Sequence, residues 1–376
     1  MASPADLIQA VDSAVTRVRT RAVDVSFNEL FDMHQSKELI IDPDFQRLFR
    51  WSVGKQSQFI ESLILELPVP PIYVIEVEDG VYELIDGLQR VSSYFHFRGF
   101  LPAKVSEVSE EADTSLVLSE CDVLPELNGK KYTELPQSLQ IKLKRHFIRM
   151  EVLRRESDKR LRYHMFKRLN TGGEILSPQE VRNCTIRLLD NTFNAFLKEL
   201  ATTPEYRRCM ESLSDEKKEQ MYLEEYVLRF FALKNNGDKY SKEVGDFLTE
   251  YMESLADSEK SVTFDYHFEK EAFTKTFSFL ATTLSSSAFS GVSRTGNIID
   301  AFSALLFEAL TMGVQPRLAE LSNAGTAVRD KFVAAVNSAK GEPEFQKWTK
   351  GGGKNYAAAL RARVDHVKRV VDACLI

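Results

Sequence analysis

The sequence predicts an α+β fold, in which a small mixed sheet with helices is followed by a mostly α-helical carboxy-terminal domain. Within 72–85, two short β-branched runs flank an Asp-Gly turn, which is typical of a hairpin. Residues 147–153 alternate apolar and polar side chains, which indicates a further strand. From about residue 206 onward, apolar residues recur at helical spacing. We therefore predict two domains, 1–205 and 206–376.

The composition excludes several classes of protein. The 376 residues suffice for two or three domains, and 43% hydrophobic with 28% charged residues exclude a disordered chain. No apolar run approaches the roughly 18 residues of a membrane span, and the first 20 residues lack the apolar block of a secretory signal. The four cysteines show no CxxC spacing, so neither a zinc site nor a disulfide framework is predicted. We expect a cytoplasmic protein without a membrane partner.

The first elements are predicted from capping residues and prolines. Residues 1–40 indicate a helix followed by a strand-like entry. Ser52 can cap a helix that runs to about Leu67, where a proline-rich segment ends it. The hairpin strands are expected over 72–77 and 81–85.

A helix begins at Leu88, directly after the second hairpin strand, because the apolar period changes there. Residues 101–135 have little periodicity and are predicted to be a loop region. Ser157 is expected to cap a further helix, and Ser177 with Pro178 is a strong helix start.

The carboxy-terminal domain is predicted to be helical nearly throughout. Phe302 and Leu305 belong to one apolar helical stripe in this prediction. Three consecutive glycines at 351–353 break the pattern, and a last helix is expected over 355–372.

The most informative segment for function is the Asp-Gly that ends the second hairpin strand. Gly87 permits a tight turn with backbone close to a ligand, and the amino end of the following helix favours an anion. Arg90 lies one turn into that helix and can fork onto a phosphate. Asp86 can hold a metal ion or orient a water. The alternative is that Asp86 only caps the helix and Arg90 is a surface residue.

Two further segments are candidates for a binding site. Gln46 and Arg47 form a polar pair inside an extended, otherwise apolar stretch, and the alternative is a buried structural ion pair. Asn170, Thr171 and Gly172 lie in a glycine-containing turn, whose alternative role is to join two helices.

A basic segment over 142–168 is a candidate surface for a polyanion. It contains eleven Lys or Arg against three acidic residues, a net charge of +8, although the whole chain carries −6. The alternative is a solvated face of a strand and helix. The predicted nucleic-acid-binding residues are Lys142, Lys144, Arg145, Arg154, Arg155 and Lys159.

Four ordered motifs between about 25 and 200 resemble the family of bacterial proteins that share the amino-terminal domain of GmrSD-type restriction enzymes and SspE-type phage-defence proteins. The motifs are Phe45-Gln46-Arg47 with Trp51, Pro68-Val69-Pro70-Pro71-Ile72, Ile85-Asp86-Gly87-Leu88-Gln89-Arg90, and Arg168-Leu169-Asn170-Thr171-Gly172-Gly173 with Leu176 and Glu180. The resemblance implies a ParB/sulfiredoxin-like core that binds and hydrolyses a nucleoside triphosphate with Mg²⁺, and thereby controls a nuclease.

The family motifs also imply roles for particular residues. Asp86 and Gln89 would be catalytic, with Asp86 as the metal ligand. The residues implied to bind nucleotide or phosphate are Gln46, Arg47, Gly87, Arg90, Asn170, Thr171 and Gly172.

The sequence departs from the family in two places. Leu88 replaces the first Gln of the family's DGQQR motif, which puts turnover in doubt more than phosphate binding. Beyond residue 205 the only histidines are His267 and His366, in unrelated contexts, so no HNH nuclease domain is predicted.

Three functions stay open at this point. The first is an NTP-hydrolysing component of a defence system, in which a separate nuclease subunit or the ParB-like core itself cuts foreign DNA. The second is a ParB-like, nucleotide-gated DNA-binding protein, and the third is an interaction protein with a vestigial hydrolytic site. Sulfiredoxin-like reduction is excluded because positions 88 and 89 are Leu and Gln rather than Cys. The expected partners are DNA, a nuclease or other defence subunit, and a second copy of the chain.

Overall fold

A computed structural model of the chain describes residues 6–9, 11, 19–41, 49, 51–100, 115–155, 157, 177–186, 190–240, 243–256, 262–293 and 297–376. The chain divides into two units, Met1–Ile175 and Leu176–Ile376. This division falls before the predicted one at 205/206, because Phe193 and Leu197 are part of the hydrophobic core of the second unit.

The first unit combines a sheet with helices. Its elements are β1 (Thr20–Ser26), α1 (Phe27–Gln35), β2 (Leu39–Ile40), α2 (Val53–Ile64), β3 (Ile72–Glu78), β4 (Val81–Asp86), α3 (Leu88–Phe97), α4 (Gln137–Arg145) and β5 (Phe147–Leu153). The Ser52 hydroxyl accepts a hydrogen bond from the Lys55 backbone N–H, so the predicted cap of α2 is confirmed. Helix α4 was not predicted from the sequence.

The sheet of the first unit is mixed, as predicted. In the described residues it has five strands in the order β1-β5-β3-β4-β2. Strand β3 runs parallel to β5 and antiparallel to β4. The end of β4 and the start of β5 therefore lie at the same end of the sheet, and the hairpin turn between β3 and β4 lies at the opposite end.

Aromatic packing fixes α3 against the rest of the first unit. Phe27 of α1 and Tyr94 of α3 are fully buried, with ring centroids 4.9 Å apart. Arg98, which follows α3, places its guanidinium 4.6 Å from the ring centroid of Phe31. These contacts fix the carboxy-terminal half of α3 against α1.

The second unit is mostly helical, as predicted. Its elements are α5 (Pro178–Ile186), α6 (Thr192–Ala201), α7 (Pro204–Cys209), α8 (Asp215–Glu219), α9 (Tyr222–Asn236), α10 (Val244–Ala256), α11 (Tyr266–Thr283), β6 (Ser290–Val292), β7 (Ile298–Phe302), α12 (Ala304–Val314), α13 (Leu318–Asn323), α14 (Thr326–Gly341), α15 (Pro343–Thr349) and α16 (Ala357–Leu375). Within the described part of the chain, no helix is both long and apolar enough to cross a membrane.

The helical assignment of Phe302 was wrong, because this residue ends strand β7. β6 and β7 form an antiparallel pair that the sequence did not reveal. The hydroxyl of Ser303 accepts a hydrogen bond from the Leu306 backbone N–H at 3.3 Å, so α12 begins only after this cap.

A buried ion network joins four helices of the second unit. Glu225 accepts hydrogen bonds from Arg182 at 2.6 Å and from Arg229 at 3.2 Å. Glu308 pairs with Arg229 at 2.9 Å and also with Arg363. Because a buried charge without its partner is strongly destabilising, these contacts fix α5, α9, α12 and α16 in one arrangement.

Candidate functional site

The turn between β4 and α3 requires a glycine for two independent reasons. Gly87 has a φ of +102°, in the left-handed region that side chains rarely adopt. A Cβ at this position would also lie 2.4 Å from Cγ2 of the fully buried Ile72. The same Cβ would lie 3.3 Å from Nη2 of Arg90. The backbone of the turn therefore lies close to the Arg90 guanidinium, with no side chain of residue 87 between them.

Arg90 is held over the turn by two oxygen atoms. Its Nη2 donates to Oδ2 of Asp86 at 3.1 Å and to the backbone carbonyl of Pro71 at 2.9 Å. The Arg90 side chain is 16% exposed and that of Asp86 is 34% exposed. The Nε of Arg90 is buried and has no hydrogen-bond partner among the described residues. Arg90 is therefore an anchored, half-buried cation, and Asp86 is its partner across one helical turn.

Gln89 connects the turn to the segment before α2. Its Oε1 accepts a hydrogen bond from the Trp51 backbone N–H at 3.0 Å. The Trp51 carbonyl in turn accepts from Nε2 of Gln56 at 2.7 Å, and Oε1 of Gln56 lies 2.8 Å from Nδ1 of His96. A chain of polar contacts thus runs from the amino end of α3 through Trp51 and α2 back to a later turn of α3.

Leu88 is only 6% exposed and belongs to the buried hydrophobic residues of the unit. The side chain at this position therefore packs inside the unit rather than facing an open turn. This location explains why an apolar residue is compatible with the position where the family motif has Gln.

The structure divides the described part of the basic segment into two groups. Lys142, Lys144 and Arg145 lie in the last turn of α4, just before β5 begins. They are at the end of the sheet where β4 reaches the Asp86 turn, as β3 pairs with both strands. Lys142 is 3.5 Å from Glu66.

Arg154 and Arg155 follow β5 and lie at the opposite end of the sheet. Arg154 pairs with Glu76 at 3.4 Å, and Arg155 is 3.9 Å from Asp79 in the hairpin turn. A strand rises about 3.3 Å per residue, so the seven-residue β5 separates the two groups by more than 20 Å. The five described residues of the predicted nucleic-acid-binding set therefore do not form one continuous patch.

Several predicted site residues lie outside the described residues, and so does the helix predicted to follow Ser157. These site residues are Gln46, Arg47, Lys159, Asn170, Thr171 and Gly172.

The structure adds residues to the site that the sequence did not single out. Pro71 supplies a carbonyl to Arg90, Ile72 closes the space beside Gly87, and Gln56 holds Trp51. The spacing of Asp86 and Arg90 at i and i+4 is a signal for their ion pair. The contacts of Pro71 with Arg90 and of Ile72 with Gly87 join residues 19 and 15 positions apart, and no local pattern indicates them.

The site can exchange one anion for another at Arg90. The guanidinium already binds a carboxylate oxygen, and phosphate oxygens are anionic acceptors that an arginine fork also binds. In the described residues no group of three His, Cys, Asp or Glu side chains could hold a metal ion. Asp86 supplies a single carboxylate, which fits Mg²⁺ bound through a substrate phosphate and waters rather than an all-protein cage.

Comparison with known families places the first part of the chain in a class, the amino-terminal domains of restriction endonucleases. The matching family is described as the GmrSD restriction endonuclease, N-terminal domain, and the match covers residues 27–187. Residues 27–187 therefore match this domain family, and the match indicates a component of a restriction-type or defence-type system. The family predicted from the four motifs is thereby confirmed.

No curated protein and no solved structure matches the chain.

Proposed function

We propose that this protein is the nucleotide-binding and NTP-hydrolysing component of a bacterial defence system that acts on foreign DNA in the cytoplasm, together with a separate nuclease subunit. The turn of Asp86, Gly87 and Arg90 is the proposed phosphate site. The observation that carries the proposal is the Asp86–Arg90 ion pair at the amino end of α3, above a glycine backbone.

The ion pair suits a ligand that carries both charges. Asp86 and Arg90 neutralise each other, so a free anion competes with Asp86 for the guanidinium and leaves that carboxylate without its cation. A nucleoside triphosphate with Mg²⁺ supplies an anion for Arg90 and a cation for Asp86 together. When bound, Mg²⁺ neutralises phosphate charge and polarises the phosphoryl oxygens. We therefore expect nucleotide binding to depend on Mg²⁺.

The remaining residues have supporting roles in this proposal. The amino end of α3 adds the favourable end of the helix dipole. Gly87 lets the phosphate approach the backbone, because no Cβ stands between them. The resemblance assigns Gln46, Arg47, Asn170, Thr171 and Gly172 to the same ligand.

One observation favours a second candidate, a nucleotide-binding or DNA-binding protein whose hydrolytic site is vestigial. The side-chain oxygen of Gln89 accepts a hydrogen bond from the Trp51 backbone N–H, and Leu88 is buried. Neither the Leu88 side chain nor the Gln89 side chain is thus positioned as an open acceptor for an attacking water. This candidate predicts binding without turnover.

The test measures nucleotide binding and phosphate release with and without Mg²⁺ for wild type, Asp86→Asn and Asp79→Asn. Asp79 is a matched control, since its carboxylate is 90% exposed at the far end of the sheet. We expect Asp86→Asn to keep binding without metal and to lose the gain that Mg²⁺ brings, together with turnover. Asp79→Asn should behave as wild type. Binding by wild type without any phosphate release supports the second candidate, and absence of nucleotide binding contradicts both.

A further inference from the structure

An aromatic ring stands exposed at the sheet end that carries the Asp86 turn. Phe147, the first residue of β5, is 65% exposed, although phenylalanine is ordinarily buried. Its backbone is fixed, because it pairs with Ser26 of β1 and the preceding carbonyl of His146 accepts a hydrogen bond from the Phe27 N–H. The Phe147 ring makes no contact with another aromatic ring in the described residues. The Phe147 ring is therefore an exposed aromatic surface on a backbone that the sheet holds in place.

Two basic side chains, Lys142 and Arg145, line a groove together with this ring. The groove, of about 600 Å³, is lined by Phe147, Arg145, His146, Lys142 and Glu66, among others. Lys142 lies near Glu66, and Lys144 and Arg145 have no acidic partner in the described part of the chain.

Two neighbouring features define the limits of this basic surface. Arg149, two residues along β5, is held by Glu151 and Asp24 and does not contribute a free cation. Burial lowers the pKa of His146, which keeps the imidazole neutral near pH 7. The available positive charge is therefore that of the last turn of α4.

We propose that Phe147 and the last turn of α4 bind single-stranded nucleic acid, with one unpaired base stacked on the Phe147 ring. Lys142 and Arg145, which line the groove, contact the phosphates on either side of that base, and Lys144 adds to the positive charge of the same turn. The proposal deepens the proposed function, on which it rests, by naming the form of nucleic acid that this domain engages.

The combination of one exposed ring with flanking cations selects the ligand. In a duplex the base faces are covered by stacking, so an aromatic ring gains little from it, whereas a single strand offers open faces. A phosphate-only surface would not require the ring, and a hydrophobic protein partner would not require Lys144 and Arg145. The chemistry of the surface matches a polyanion with accessible aromatic faces.

The experiment is a fluorescence anisotropy titration of full-length protein with a labelled oligothymidine and with a duplex of equal length. Phe147→Ala should weaken single-strand binding by about five- to a hundredfold, and Phe147→Trp should preserve it. Arg145→Gln should reduce the slope of log affinity against log salt by about 0.7. Phe268→Ala is the matched control, because Phe268 is 59% exposed in the second unit and should have no effect.

Three outcomes overturn the proposal: equal binding of Phe147→Ala and wild type, equal loss in Phe268→Ala, and wild-type preference for duplex. A nucleotide titration of Phe147→Ala tests the two proposals separately, because it measures nucleotide binding at the Asp86–Arg90 turn and not base stacking on Phe147. Phe147 lies outside the Asp86–Arg90 turn, so nucleotide binding should be unchanged. Simultaneous loss of nucleotide binding in this variant contradicts a separate base-stacking surface.

Discussion

The side-chain oxygen of Gln89 accepts a hydrogen bond from the backbone N–H of Trp51 at 3.0 Å. These residues belong to two different motifs and are 38 positions apart. The proline-rich motif over 68–72 meets the same turn through the Pro71 carbonyl, which accepts a hydrogen bond from Arg90. Three ordered sequence motifs therefore converge on one turn, which explains why they occur together.

Gln89→Leu should lower the free energy of unfolding of the first unit by about 1 kcal/mol, because it removes the acceptor of the Trp51 N–H at similar volume. The chain has two tryptophans, so in a Trp348→Phe background urea denaturation can be followed through Trp51 alone. Gln58→Leu is the control, since the Gln58 side chain makes an exposed hydrogen bond to the Glu120 carbonyl. Unchanged stability with abolished turnover would instead assign Gln89 a direct catalytic role.

Gly87→Ala should cost more stability than Gly80→Ala. Both glycines have positive φ, +102° and +75°, so both variants carry backbone strain of about 1–2 kcal/mol. Only at position 87 does the new Cβ also meet Ile72, whose buried side chain has little room to move. Urea denaturation of the two variants measures the difference. Equal losses would show that packing against Ile72 does not constrain the turn.

The buried Lys340 predicts a rise in the stability of the second unit between about pH 8 and pH 9.5. Its Nζ donates to the carbonyls of Ser287 and Ala288, and burial lowers its pKa from 10.5 to about 8. In this pH range Lys340 remains protonated in the unfolded chain but has released its proton in the folded chain. The unfolding free energy therefore increases with pH, by roughly 1–2 kcal/mol from this group.

The measurement is the difference between wild type and Lys340→Met in urea denaturation, followed through Trp348 in a Trp51→Phe background. The difference is needed because burial raises the pKa of Cys209 to about 12, which has the opposite effect on stability at these pH values. Lys350→Met, which removes an exposed lysine bound to the Val292 carbonyl, should keep the rise. A difference that does not vary with pH would rule out the titration of Lys340.

Local sequence signals predict the elements around the site well. The β-branched hairpin runs and the Asp-Gly before Leu88 are confirmed as β3, β4 and the start of α3. Phe302 was misassigned because its apolar spacing continues that of α12, and only the Ser303 cap separates them. The Asp86–Arg90 pair follows helical spacing, but the Pro71 contact depends on how β3 lies beside α3, which no local pattern specifies.

The central claim is that Arg90 binds nucleotide phosphate, and titration of labelled nucleotide with wild type, Arg90→Ala and Arg154→Ala tests it most directly. Arg154 is the matched control, because it pairs with Glu76 at the other end of the sheet. Charge-assisted contacts contribute about 1.5–3 kcal/mol, so Arg90→Ala should weaken binding by roughly ten- to a hundredfold, with Arg154→Ala unchanged. Circular dichroism establishes that each variant is folded. A folded Arg90→Ala variant that binds nucleotide as tightly as wild type would contradict the account.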